Sequence, residues 1–286
     1  MKHIALAGLL ALAASTAQAI GPEPVWKTEG FANPESVVYS SLQKVLYVSN
    51  VNGAPDAKDG NGFISQVGLD GKVIQRQWLK GLNAPKGLGY IRGYLYVSDL
   101  DELLEIDTGN KRITRRFKAA GAKFLNDVVV TPRGTVFVSD MLTNTIWRLQ
   151  GDAFTPWLQS DALEMPNGLA WDGGKLQVAS WGIGMKPDFS TDTTGYLKTV
   201  DTETKAITAR FAPIPLGNLD GLVADGKGGY VVTDYMRGNV FKIGSDGQPN
   251  LWLQLTQGTA DIGAAPGLIV LPQMSENTVS AYPLTK

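Results

Sequence analysis

The stretch NLDGLVADGKGGYVVTDY (residues 218–235) reads as a β-hairpin. Apolar residues run through GLVA, a glycine-rich turn follows, and YVVTD runs back. A carboxylate, Asp220, stands just ahead of the first strand, and a glycine follows it. MPNGLAWDGGKLQVAS (residues 165–180) has the same layout with Asn167 in the carboxylate's place. Outward from these two, the slot is filled by Glu35 in NPESVVY, Lys86 in APKGLGY, Asn126 in FLNDVVV and Asp261 in TADIGAA. The six positions are separated by 51, 40, 41, 53 and 41 residues.

Two further landmarks keep step with the slot. LYVSN, LYVSD, VFVSD, LQVAS, YVVTD and LIVLP follow it, and an aromatic residue precedes it by 8 to 10 positions, at Trp26, Trp78, Phe117, Trp157, Phe211 and Trp252. Each unit holds short β-rich runs divided by Gly, Pro, Asn and Asp, without an amphipathic helix. A period of about 40–50 residues with about four strands per unit predicts an all-β chain folded as a β-propeller, here of six blades. PEPVWKTEG around Trp26 resembles the outer-strand segments QPNLWLQLTQG and DAFTPWLQS but comes before the first slot. It is therefore expected to supply the outer strand of the last blade and close the ring. The aromatics are expected to fill space between blades. The Asp of VSD and VTD (Asp99, Asp140, Asp234) is expected to hold a turn through nearby amides.

Composition narrows the chemistry. Residues 1–19, MKHIALAGLLALAASTAQA, have a basic start, an apolar run and a small-residue ending, the pattern of a signal peptide cleaved after Ala19. The expected product is residues 20–286, one propeller domain in the periplasm or secreted; the apolar run is too short for a membrane span. There is no Cys, and the only His is His3, inside that leader. Thiol nucleophiles, a Ser-His-Asp triad and His- or Cys-ligated zinc are thereby excluded. A net charge of −1 with scattered basic residues gives no case for nucleic acid or an anionic membrane.

In a propeller, residues entering the innermost strands meet at one mouth of the central channel. Each slot taken alone is compatible with turn chemistry. As a ring, Glu35, Asp220 and Asp261 repel one another unless a cation, or Lys86, lies among them. Carboxylate and amide oxygens suit a hard divalent cation, Ca²⁺ first and Mg²⁺ second. The two long intervals arise from insertions after LYVSN (residues 51–63) and LQVAS (residues 181–196, beginning with Trp181), in blades on opposite sides of the ring. Both are expected to flank the mouth and to carry binding residues.

PES around Glu35, LND around Asn126, PNGLAWDG around Asn167 and LDGLVAD around Asp220 resemble the gluconolactonase/regucalcin family. The resemblance spans essentially the whole chain beyond residue 19. It implies a six-bladed propeller with one divalent cation in the channel, and hydrolysis of sugar lactones. By position, Glu35, Asn167 and Asp220 match direct metal ligands, Asn126 matches an Asn facing metal and substrate, and Asp220 matches the proposed general base. Two positions depart from the pattern: Phe124 stands where the family often has Arg, and Lys86 adds a cation to the ring. The reading is an exported, metal-dependent hydrolase of small lactones or esters, with Lys86, Phe124, Asp261 and Trp181 as substrate-contacting candidates. The alternative is a non-catalytic propeller that binds a protein or a small ligand on its mouth face.

Overall fold

The computed structural model describes residues 21–284. The leader assigned to residues 1–19 lies outside them. Six four-stranded antiparallel sheets follow one another along the chain as the blades of a β-propeller. Blade 1 runs through Pro34–Ser40, Val45–Asn50, Gly62–Gly68 and Val73–Leu82, from the channel outward. Blades 2 to 5 begin on the channel with Pro85–Ile91, Leu125–Val130, Pro166–Asp172 and Leu219–Ala224. Blade 6 takes Gly263–Ala265, Leu268–Gln273 and Thr278–Pro283 from the C-terminal end and Trp26–Glu29 from the other. Trp26 pairs with Ala281 and Glu29 with Thr278, as the sequence predicted. Among the described residues no helix is long and apolar enough to cross a membrane.

Among the described residues six hydrophobic clusters lie one at each junction between neighbouring blades, and a smaller seventh lies around Val51, Ala84 and Leu100. Between blades 1 and 2, for instance, Tyr47, Ile64 and Trp78 meet Leu95, Val97 and Leu104. The six landmark aromatics are distributed one per junction. Trp78 packs on Tyr47 with ring centroids 4.7 Å apart, and Trp157 packs edge-on to Phe137 at 5.0 Å. Both pairs lie within one blade and add about 0.5–1.5 kcal/mol beyond the area they bury, while the clusters they belong to also take in core residues of the next blade. Trp26 completes the circle: its strand belongs to blade 6, while its indole donates to the Leu69 carbonyl of blade 1 at 2.9 Å.

The long intervals are the two insertions. The second contains a small hairpin of its own, Gly182–Ile183 with Thr193–Thr194. Both lie on the face where the innermost strands begin.

Candidate functional site

The slot residues are not ahead of the innermost strands, as the sequence suggested. In blades 1 to 5 each is the second residue of that strand. The pairing slips directly after it, between Pro34 and Val37, Pro85 and Leu88, Leu125 and Val128, Pro166 and Leu169, and Leu219 and Leu222. A β-bulge inserts a residue and re-aims the side chains around it. Five bulges at the same height thus turn five slot residues toward the axis. The residue after the slot is pressed against the next blade, and in three blades only glycine fits. A Cβ on Gly221 would lie 2.3 Å from the Ile262 nitrogen, and one on Gly168 would lie 1.9 Å from the Asp220 carbonyl oxygen. The glycine after Asp220 is therefore a requirement of close strand approach rather than of a turn.

The second-strand landmark braces this arrangement. The hydroxyls of Ser49, Ser139 and Thr233 accept the bulge N–H groups of Ser36 (2.9 Å), Asp127 (3.0 Å) and Gly221 (2.8 Å). The Asp that follows holds the incoming loop, as expected. Asp99 accepts from the amides of Asn83 and Ala84, Asp140 from those of Lys123 and Phe124, and Asp234 from that of Asn218.

Glu35, Asn126, Asn167 and Asp220 line one cavity of about 320 Å³ at the channel mouth. All four are at least 95 % buried. Asn167 hydrogen-bonds the Asp220 carboxylate. Glu35 Oε2, Asn126 Oδ1 and Asn167 Oδ1 are buried without any partner. Leaving a buried acceptor unpaired costs about 1–3 kcal/mol, and here three from three blades converge. Among the described residues no group of three or more His, Cys, Asp or Glu is set to hold a metal; this set mixes two carboxylates with two amides. Its chemistry fits a hard cation, whose remaining ligands would be water or substrate oxygens.

Electrostatics point the same way. Burial, then the charges of Asp220 and Asp261, hold the Glu35 carboxyl well above the usual range. Asp220 is raised by burial and by Asp261, against the Asn167 hydrogen bond. Asp261 is pushed up to about 6 by burial, against hydrogen bonds from Ser36, Ile262 and Asp127. Carboxyls with raised values keep protons in the folded chain that the unfolded chain has already released. Stability of the metal-free protein is therefore fully present below the unfolded carboxylate values near pH 4. It falls as pH rises from there through the folded values, by about 1.4 kcal/mol per pH step of one for each proton that the folded chain alone retains. Thermal unfolding in chelator, followed from about pH 4 to about pH 7, is expected to show a steadily falling midpoint. A midpoint that rises over that interval would mean the ring carboxylates are compensated without a cation.

Asp261 does not line the cavity. It lies beneath the ring, where Ser36 Oγ donates to it at 2.5 Å and Asp127 is hydrogen-bonded to it. Asp127 also reaches into blade 4, accepting the Leu169 N–H at 2.5 Å. Lys86 does line the cavity, but it neither pairs with the ring carboxylates nor projects free. Its Nζ donates to the carbonyls of Pro55 (2.7 Å) and Ala84 (3.2 Å) and lies 4.3 Å from the centroid of the Phe124 ring. The two departures from the family pattern thus face each other, and the ammonium ties the first insertion to the ring.

Trp181 lines the cavity with its indole N–H bonded to the Phe189 carbonyl and its ring 5.6 Å from that of Tyr235. It belongs to a second circle that the sequence reading missed. The residue directly after the second strand of each blade is Val51, Leu100, Met141, Trp181, Tyr235 or Met274. All but Leu100 line the cavity, and Leu100 packs behind Val51 and Ala84. The signal was present in five blades at a fixed offset from a motif already in use; in blade 6 Gln273 intervenes.

No family model matches the sequence, and no curated protein matches it. Solved structures do match in fold. A gluconolactonase from Xanthomonas campestris is similar with a TM-score of 0.67 and 17 % identity, over 94 % of this chain and 92 % of that one. A streptogramin B lyase gives 0.61 and 11 %, over 90 % and 97 %. A chain of the nidogen/laminin complex gives 0.61 and 17 %, over 80 % and 84 %. The fold is a gluconolactonase-like six-bladed propeller.

Proposed function

We propose that this propeller is a divalent-cation-dependent hydrolase of lactones or esters. The observation that carries this reading is the convergence of three unpartnered buried oxygens, from Glu35, Asn126 and Asn167, beside the Asp220 carboxylate. These four residues would hold the cation, Ca²⁺ before Mg²⁺ on ligand hardness. When bound, it would polarise the substrate carbonyl and acidify a neighbouring water. Asp220 accepts the proton of the attacking water as the new C–O bond forms, and returns it to the departing alkoxide as the ester C–O bond breaks. Asn167 keeps that carboxylate aimed through its amide hydrogen bond. Tyr235, pushed up to about 12 by burial and by the Asp220 and Glu35 charges, stays a neutral phenol that can donate a hydrogen bond at the reacting end. The composition of residues 1–19 supports action outside the cytoplasm.

Purified protein is expected to bind a divalent cation in calorimetry and to hydrolyse members of a lactone and aryl-ester panel. Chelation should abolish that activity and Ca²⁺ or Mg²⁺ should restore it. Glu35→Gln should weaken cation binding at least about tenfold and remove at least about half of the thermal stabilisation that the cation confers, about 2.7 kcal/mol for wild type at a hundredfold excess over Kd. Absence of cation binding to the native protein would remove the basis of the proposal. Cation binding without turnover of any ester would favour the second reading, a propeller that binds a protein or small ligand at the same mouth. The exposed apolar side chains of Ile183 and Phe189 beside the cavity are what favour that second reading.

A further inference from the structure

We infer that the ligand of this cavity is a neutral molecule with an apolar body and a single polar end, as in an alkyl- or aryl-substituted lactone, rather than a polyhydroxylated one. The inference rests on the hydrolase reading for the chemistry at the polar end and on the circle of large side chains for the body.

The cavity is built in two layers. The polar ring forms its floor. Above it, the register of the first two strands in blades 1 to 5 places the residue after the second strand one step beyond the partner of the residue before the slot. Pro34 opposes Asn50, Leu125 opposes Asp140, Pro166 opposes Ser180 and Leu219 opposes Asp234. The next residues are Val51, Met141, Trp181 and Tyr235, joined from blade 6 by Met274. Phe124 and Phe189 extend the same wall. Thioether side chains are soft and adapt to irregular apolar shapes. All five methionines beyond Met1 (Met141, Met165, Met185, Met236 and Met274) lie in connections on this mouth face.

Of the four polar side chains that line the wall, Lys86 and Asn33 are committed elsewhere, and the Tyr235 and Ser275 hydroxyls remain to meet the single polar end. The Lys86 ammonium is spent on two carbonyls and the Phe124 ring. The Asn33 side chain accepts from the Gly53 amide and donates to the Met274 carbonyl. A sugar lactone would bury several hydroxyls against Met, Phe and Trp, and each hydroxyl left unpaired lowers affinity about tenfold. An alkyl chain in the same place gains from burial. A volume of about 320 Å³ suits one small molecule.

The test compares γ-decalactone with D-glucono-δ-lactone as substrates, and uses γ-decalactam, the hydrolysis-resistant counterpart of the first, as a binding probe on the Ca²⁺-loaded protein. Hydrolysis of γ-decalactone is expected to exceed that of gluconolactone at least about a hundredfold in kcat/KM, two unpaired hydroxyls' worth. The lactam should bind in calorimetry with a negative heat-capacity change, the mark of apolar burial. Met274→Gln, at a half-buried position where the fold tolerates a polar group, should weaken lactam binding about tenfold while Ca²⁺ binding is retained, and Met274→Leu should restore it. Equal or better turnover of gluconolactone, or no lactam binding, would overturn the inference and leave the hydrolase reading standing. Lactam binding with no hydrolysis of any lactone would support the apolar cavity and overturn the hydrolase reading instead.

Discussion

Gly168→Ala is expected to destabilise the protein by at least about 3 kcal/mol, lowering the thermal midpoint by about 6–12 °C, and to weaken cation binding with it. The added methyl would stand 1.9 Å from the Asp220 carbonyl oxygen and 3.2 Å from the Gly221 carbonyl carbon. Both are backbone atoms of the neighbouring innermost strand, so no rotamer change relieves the contact. Blades 4 and 5 must separate at the axis, and that is where Asn167 and Asp220 share a hydrogen bond. Loss of stability and loss of the site therefore come from one displacement. Thermal unfolding and cation titration of the variant measure the two effects. An unchanged midpoint would mean that the strands do not approach as closely as the bulged geometry requires.

Asp220→Asn should separate activity from stability in opposite directions. Removal of the proton acceptor is expected to lower ester hydrolysis about 10²- to 10⁴-fold. In chelator, near neutral pH, the same variant should be more stable than wild type by about 1–2 kcal/mol. The neutral amide replaces a carboxyl that burial and Asp261 raise well above the usual range, and whose ionisation works against the fold. With saturating cation the order should reverse, because the variant has lost a charged ligand. Unfolding curves in chelator and in cation that fail to change order would show that Asp220 is not part of a charge-dependent cation site.

How far the sequence revealed this site depends on what kind of group did the work. The six-fold repeat was legible because Trp, Pro-x-Gly and VSD motifs must recur wherever the same inter-blade packing recurs. The slot residues were legible for the same reason. Asp127 was not: it falls one position after a slot, where Gly87, Gly168 and Gly221 occur in other blades, and a period-two strand reading turns that position away from the slot's face. The bulge cancels that rule. Asp261 was found but misplaced, since its partners Ser36 and Asp127 sit below the cavity and the repeat alone carries no height along the channel. The arrangement of Lys86 was out of reach because two of its partners, Pro55 and Ala84, engage it through carbonyl oxygens, which every residue possesses.

The pairing of Trp26–Glu29 with Thr278–Pro283 also sets an order of events. Lys27 and Glu276, ion-paired at 2.7 Å, are separated by 249 positions in the chain. During synthesis the earliest described strand is made before its partner exists, and it waits through five blades with its edge open. Contacts of such long range close late and slowly, and an open edge is a template for foreign strands in the interval. Once closed, the same seam works in reverse. Blade 6 cannot unfold without parting these two segments from each other, so the seam ties the early end of the described chain to its late end. The lifetime of the folded protein, more than its equilibrium stability, is the quantity that this seam governs.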